Sequence, residues 1–336
     1  MKISSTAIGI AKSGICLLGL VAASAVQAQD GGDYEIPRTV DGQPDLQGVW
    51  ANNTMTPVER PEMFGDREYL TDEEMAFLQQ RMREIADQDG DALFGSGTFN
   101  AAFSGEVTSY DPTTGNYDQS WLVERDVHNR TSQIVDPPDG RYPPRTEESI
   151  TLARERAERV RNNEIASWLD MSVDDRCINY GAPYLNTGYN SYWQIVQSRD
   201  HVVIVQEMIH DARIIPLIEK PLLDDRIRLW HGDPRGYWDG DTLIVETGNF
   251  SEKSHDGPNT AAKRNIERFT RIGDNQLLYQ FISDDPGTYT APYTQELLLE
   301  YSPDPIYEYA CHEGNYAMEN ILRGARELER LAAEDH

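Results

Sequence analysis

Cysteine is scarce in this chain: of 336 residues only Cys16, Cys177 and Cys311 carry a thiol. None of them is spaced like the paired thiolates of a zinc site, and no His-x-x-x-His occurs, so the standard sequence signatures of a metal centre are missing. No Gly-x-Gly-x-x-Gly and no Gly-Lys-Ser/Thr loop is present, which argues against a nucleotide cofactor. A Gly-x-Ser-x-Gly elbow is absent too, so a serine hydrolase of that kind is not expected. Basic residues are outnumbered: 30 Lys and Arg face 57 Asp and Glu, a formal charge of −27. Such a surface repels nucleic acid and anionic lipid. The acid excess reads as a solvated coat and carries no information about substrate. No apolar run reaches the roughly 20 residues of a membrane span.

What is present begins with a leader. Lys2 and Lys12 precede the apolar stretch from Ile15 to Val21, and Val26-Gln27-Ala28 supplies small residues at a cleavage position. Residues 1–28 therefore read as a secretory signal peptide, and the expected location is periplasmic or secreted. They hold two lysines and no acid, so their removal takes the charge from −27 to −29. Cys177 and Cys311 then remain, and an oxidising compartment predicts one disulfide between them, two buried free thiols being the alternative.

From residue 191 onward, short β-branched and aromatic runs recur at regular spacing, separated by turns such as Trp238-Asp239-Gly240-Asp241 and Gly273-Asp274-Asn275. They predict strands at 192–198, 202–209, 212–218, 226–231, 242–250, 264–272, 276–283, 293–301 and 306–313. The expected fold is mainly β: an antiparallel up-and-down barrel of about eight strands, calycin- or lipocalin-like, with peripheral α-helices. A sandwich is the alternative. Three helices are predicted. The first starts at the capping box Thr71-Asp72-Glu73-Glu74 and the second covers 147–169. The third is an amphipathic C-terminal helix over 317–335. The expected organisation is a leader (1–28), an N-terminal segment of helices and loops packed on the barrel (29–190), the barrel core (191–316) and the C-terminal helix (317–336). Residues 91–125 read as a long loop of the kind that often carries function.

Chemistry concentrates at 201–217. There a strand-like run leads into Glu207, His210, Asp211 and Arg213, four ionisable groups that are costly to bury unless paired or serving a ligand. An unbroken strand would put Glu207, Ile209, Asp211 and Arg213 on one face and His210 on the other. A Cys177–Cys311 bridge would bring Arg176 beside Tyr309, His312 and Glu313, with Tyr189 close by in sequence. The loop 230–238 adds Arg235 and Trp238. Glu267-Arg268-Phe269-Thr270-Arg271 reads as a cross-strand salt bridge.

The candidate acid–base residues are His210, Asp211, Glu207, His312 and Glu313. Candidate substrate contacts are Arg176, Arg213, Arg235, Tyr189, Trp238 and Tyr309, the arginines holding an anionic group. The partner expected is a small organic ligand or substrate, aromatic or carboxylate-bearing, with neither nucleic acid nor membrane involved. Non-redox acid–base turnover, as in a lyase, hydratase, isomerase or hydrolase, is the first reading. A ligand-binding barrel without turnover is the second, and a metal- or haem-binding protein the third. No cofactor is expected, and a metal would draw on His210, Asp211, His312 and Glu313.

Several stretches together carry a resemblance. These are Pro-Arg-Thr-x-Asp-Gly-x-Pro-Asp-Leu-x-Gly-x-Trp (37–50), Asp175-Arg176-Cys177, His-Asp-Ala-Arg-Ile-Ile-Pro-Leu (210–217), Trp-Asp-Gly-Asp-Thr-Leu-Ile-Val (238–245), Glu-Arg-Phe-Thr-Arg (267–271) and Tyr-Glu-Tyr-Ala-Cys-His-Glu-Gly-Asn-Tyr (307–316). The chain resembles a family of secreted bacterial proteins, a likeness that implies export and no particular activity. Gly48-x-Trp50 and the strand series are more loosely similar to calycin-type barrels. Some of those are lyases, hydratases or isomerases, and many only carry ligands.

Overall fold

Alternation of apolar and polar residues becomes alternation of burial. In Gln276–Asp284, Leu277, Tyr279 and Phe281 turn inward while the residues between them stay partly exposed. The computed structural model describes residues 34–87, 99, 101–103, 125–162, 164–179, 181, 183–185, 187–218, 221–253 and 262–334. The expected leader and most of the 91–125 loop lie outside the described residues. Among the described residues ten strands form: β1 (Gly48–Ala51), β2 (Ile134–Asp136), β3 (Tyr192–Gln197), β4 (His201–Gln206), β5 (Ala212–Pro216), β6 (Asp233–Asp239), β7 (Thr242–Gly248), β8 (Arg264–Arg271), β9 (Gln276–Asp284) and β10 (Tyr293–Ser302).

They join in one sheet, in the order β5-β4-β3-β1-β10-β9-β8-β7-β6, with β2 pairing β10 beside that path. Every ladder on the path is antiparallel. Direction reverses at each step, so the first and last of its nine strands point the same way. An antiparallel ladder between β5 and β6 is therefore barred by parity, and among the described residues none joins them. They still meet through side chains. A Cβ on Gly236 of β6 would stand 2.9 Å from Ile215 and 2.8 Å from Leu217, so any larger residue there would have to displace those side chains. Residues 217–232 make the long return that two strands of like direction require.

The expected barrel is thus corrected. The protein has a mainly antiparallel ten-stranded sheet with few helices, and it does not close into a barrel. Residues 226–231 are turn and bridge, the strand beginning at Asp233, and 306–313 form a loop. The sheet nevertheless curls. One apolar core draws Trp50 from β1, Trp193 from β3, Ile204 from β4, Ile215 from β5, Val245 from β7, Phe269 from β8, Tyr279 from β9 and Leu299 from β10. A flat sheet could not bring both ends of its path to one core.

Helix α1 (Asp72–Ala86) starts at Thr71 with both arms of the capping box formed. Its Leu78 and Ile85 pack with Met55, Phe64, Leu70 and Phe99 in a second, smaller core. Helix α2 (Glu147–Arg161) ends earlier than expected, because Ser167 and Asp170 make a fresh capping box for a separate 3-10 turn, Trp168–Asp170. Helix α3 (Tyr316–Glu334) buries Ala325 and partly buries Met318, Ile321 and Leu322, its other residues being exposed. Among the described residues no helix is long and apolar enough to cross a membrane.

One histidine buried beside the sheet makes stability depend on pH. His128 Nδ1 lies 3.2 Å from Thr54 Oγ1, and Nε2 lies 3.9 Å from Glu300. Burial pulls its pKa from 6.5 down to about 4. The unfolded chain therefore takes up this proton first, and the contribution is present above pH 6.5 and lost as pH falls towards 4. The loss expected over that window is about 2 kcal/mol, with part of the ring open to water. Denaturant unfolding at pH 7 and pH 4.5 measures it. His128→Gln should flatten this component, and an unchanged slope in that variant would contradict the assignment.

Candidate functional site

The Cys177–Cys311 disulfide forms, with Cα atoms 5.7 Å apart. It pins the loop after β10 against the 172–179 turns, and a cleft of about 740 Å3 lies between them and the start of β3. Among the described residues that line it, six are carboxylates: Asp174, Asp175, Glu207, Asp304, Glu308 and Glu313. Four are tyrosines, Tyr189, Tyr192, Tyr307 and Tyr309, and none is Lys, Arg or His. On a chain this acidic some carboxylates belong anywhere. The distinctive feature is that no cation accompanies them.

Glu207 is held at the cleft wall by main-chain geometry. Its N–H donates to the Tyr192 carbonyl at 2.9 Å, and Oε1 accepts the Tyr307 N–H at 2.9 Å. The carboxylate is 3% exposed, so it both supports the returning loop and faces the cleft. Directly after it the chain kinks, with Ile209 at φ 62° and His210 at φ 50°. A left-handed β-branched residue costs roughly 1–2 kcal/mol, offset here by burial of the Ile209 side chain. The kink breaks the strand phase, so the single-face arrangement of Glu207, Ile209, Asp211 and Arg213 does not occur.

The remaining candidates disperse. His210 is exposed, and its Nδ1 lies 2.6 Å from the Tyr309 carbonyl, which requires the Nδ1–H tautomer. Asp211 lies 3.2 Å from His231 Nε2, a partner the strand pattern did not indicate. Burial lowers the His231 pKa, against the pull of Asp211. His312 is exposed and does not line the cleft, while Glu313 does. Among the described residues no three His, Cys, Asp or Glu side chains converge on a metal position, so His210, Asp211, His312 and Glu313 do not form a ligand set.

None of the three arginines reaches the cleft. Arg213 lies in the core, paired through both nitrogens with Glu267 of β8, whose Oε1 also accepts the Tyr279 hydroxyl at 3.0 Å. The expected cross-strand bridge at Glu267 is in fact this cross-core pair. Arg235 is bound by Asp233 and the Pro234 carbonyl. Arg176 donates from Nε to the Ser172 carbonyl and lies over the Trp168 ring. Trp238 packs against the main core.

Phenols beside the cleft feel its charge. Burial pushes the Tyr184 pKa up to about 12, with Asp174 and Tyr309 adding to the rise. Tyr192 is raised by burial, and by Glu207, Asp126 and Asp304. Both stay protonated hydrogen-bond donors at neutral pH. No protein family, curated protein or solved structure matches the chain.

Proposed function

We propose that the protein is an exported small-ligand-binding protein whose cleft takes a cationic, ring-bearing organic molecule. The observation that carries this reading is a lining that, among the described residues, holds six carboxylates and four tyrosines and no Lys, Arg or His. Crowded carboxylates repel one another, and a bound cation relieves that repulsion. Tyrosine faces attract organic cations through their π electrons, and the cleft volume suits a small molecule. A ligand carboxylate, the partner first expected, would meet like charge on every side.

A second reading, acid–base turnover of such a ligand, is favoured by the buried Glu207 with one oxygen fixed by the Tyr307 N–H. In that reading Glu207 accepts the proton, and neither His210 nor His312 takes part. Benzyltrimethylammonium tests the shared premise by calorimetric titration. Saturable binding that weakens with salt is expected. Glu308 and Glu313 are exposed, so the double variant Glu308→Gln, Glu313→Gln should fold normally. Two charges about 5 Å from the ligand in a water-like dielectric contribute roughly 0.8 kcal/mol each, so affinity should fall about tenfold. Benzoate binding as tightly as the cation would reject the proposal.

A further inference from the structure

Among the described residues five carboxylate side chains are buried: Glu207, Asp233, Glu267, Asp285 and Glu296. In four of them both oxygens are occupied. Asp233 accepts from Arg235 and the Leu223 N–H, and Glu267 from Arg213 at both oxygens. Asp285 accepts from the Thr288 N–H and hydroxyl, and Glu296 from Arg130 and the Gln280 side chain. Asp233, Glu267 and Glu296 each form an ion pair with their arginine. That is the ordinary condition of a buried charge.

Glu207 is the exception. It is 3% exposed and Oε1 takes the Tyr307 N–H at 2.9 Å, but among the described residues Oε2 has neither a donor nor a counter-ion. Oε2 is nonetheless open to solvent, and the residue lines the cleft. The group is also held in place, because its own N–H is fixed on the Tyr192 carbonyl and Oε1 on the returning loop. A buried carboxylate oxygen that opens only onto a cavity takes its donor from whatever fills that cavity. Tyr192 stands beside it: Glu207 and Asp304 both raise the pKa of that phenol, so a ring and two carboxylates meet at one end of the cleft.

We propose that Glu207 determines which cation the cleft accepts. The ligand is a protonated arylalkylamine, an ammonium with at least one N–H, and that N–H donates to Glu207 Oε2. This inference rests on the reading of the cleft as a site for a cationic, ring-bearing molecule and narrows it to one chemical class. Charge alone would not select it. Carboxylates and tyrosine faces attract a quaternary ammonium too, and a primary ammonium costs more to strip of water, because its N–H groups are hydrogen-bonded there. An acceptor already placed in the site reverses that order.

Benzylamine and benzyltrimethylammonium share a ring and a charge and differ in their N–H groups. Titrated calorimetrically into the full chain at pH 7 and equal ionic strength, benzylamine should bind at least about tenfold more tightly. Benzyldimethylamine, protonated at that pH and left with a single N–H, should keep most of the advantage, since one oxygen is free. In Glu207→Gln the amide oxygen can still accept the Tyr307 N–H, while its nitrogen puts a donor where the free acceptor was. Benzylamine and benzyltrimethylammonium should then bind within about threefold of each other. If that variant does not fold, the three ligands decide the matter on the parent protein. Benzyltrimethylammonium binding as tightly as benzylamine would overturn the inference and leave the reading of the cleft standing. So would a tenfold preference that survives in folded Glu207→Gln. Failure of all three ligands to bind would bring down that reading and the inference with it.

Discussion

Glu267→Gln should destabilise the protein by about 3–5 kcal/mol, lowering Tm by roughly 8–12 °C. The side chains of Arg213 and Glu267 are 2% and 0% exposed, so removing one charge leaves the other buried without its counter-ion. Formation of the pair is a weaker matter, since desolvation of both ions offsets much of their attraction. The double variant Arg213→Met, Glu267→Leu should accordingly recover most of what the single variant loses. Tyr279→Phe, which deletes only the hydroxyl donor to Glu267, should cost about 1 kcal/mol. Thermal unfolding of the four proteins makes the comparison. A single variant within 1 kcal/mol of the parent would mean that water reaches this part of the core, contrary to the burial found.

The second large effect follows from Cys177–Cys311. The cysteines are 134 residues apart in sequence, and closing a loop of that length stabilises by about 5 kcal/mol in the chain-entropy account, commonly 2–4 in practice. Cys177→Ser, Cys311→Ser should lose stability in that range. Function should suffer more. Residues 304–315 belong to no strand and are held by a few contacts: Tyr307 N–H to Glu207, His210 to the Tyr309 carbonyl, and the Asn315 side chain to the Asp175 carbonyl. Without the sulfur link that side of the cleft is free to move, and benzyltrimethylammonium affinity should drop at least tenfold. Denaturant unfolding and titration with and without reductant measure both quantities. Equal stability and equal affinity after reduction would refute the role assigned to the bridge.

Much of the sheet was legible because period-two patterning survives wherever one strand face is buried. β8, β9 and β10 fall within two residues of their expected limits. β6 was misplaced because Asp233-Pro234-Arg235-Gly236 reads as a turn. Proline is tolerated there at the end of the sheet, and Gly236 leaves room for Ile215 and Leu217 to press against it. β1 entered the middle of the sheet from far upstream, through pairings with β3 and β10 that no local pattern announces. At the site, the cysteine pairing was legible, and Glu207, Glu313, Tyr189 and Tyr309 do converge on one cleft. The arginines were misassigned because their partners are remote. Glu267 meets Arg213 from across the core, and residue spacing carries no trace of that distance. The kink at Ile209 and His210 also shifted the phase on which the facing argument depended.

Nine alternating strands leave a sheet whose two margins touch but, among the described residues, share no main-chain ladder. Its interior can therefore be entered along one line without unzipping any ladder. Interlocked side chains at Gly236 close that line, and the Arg213–Glu267 pair ties β5 to β8 across the core behind it.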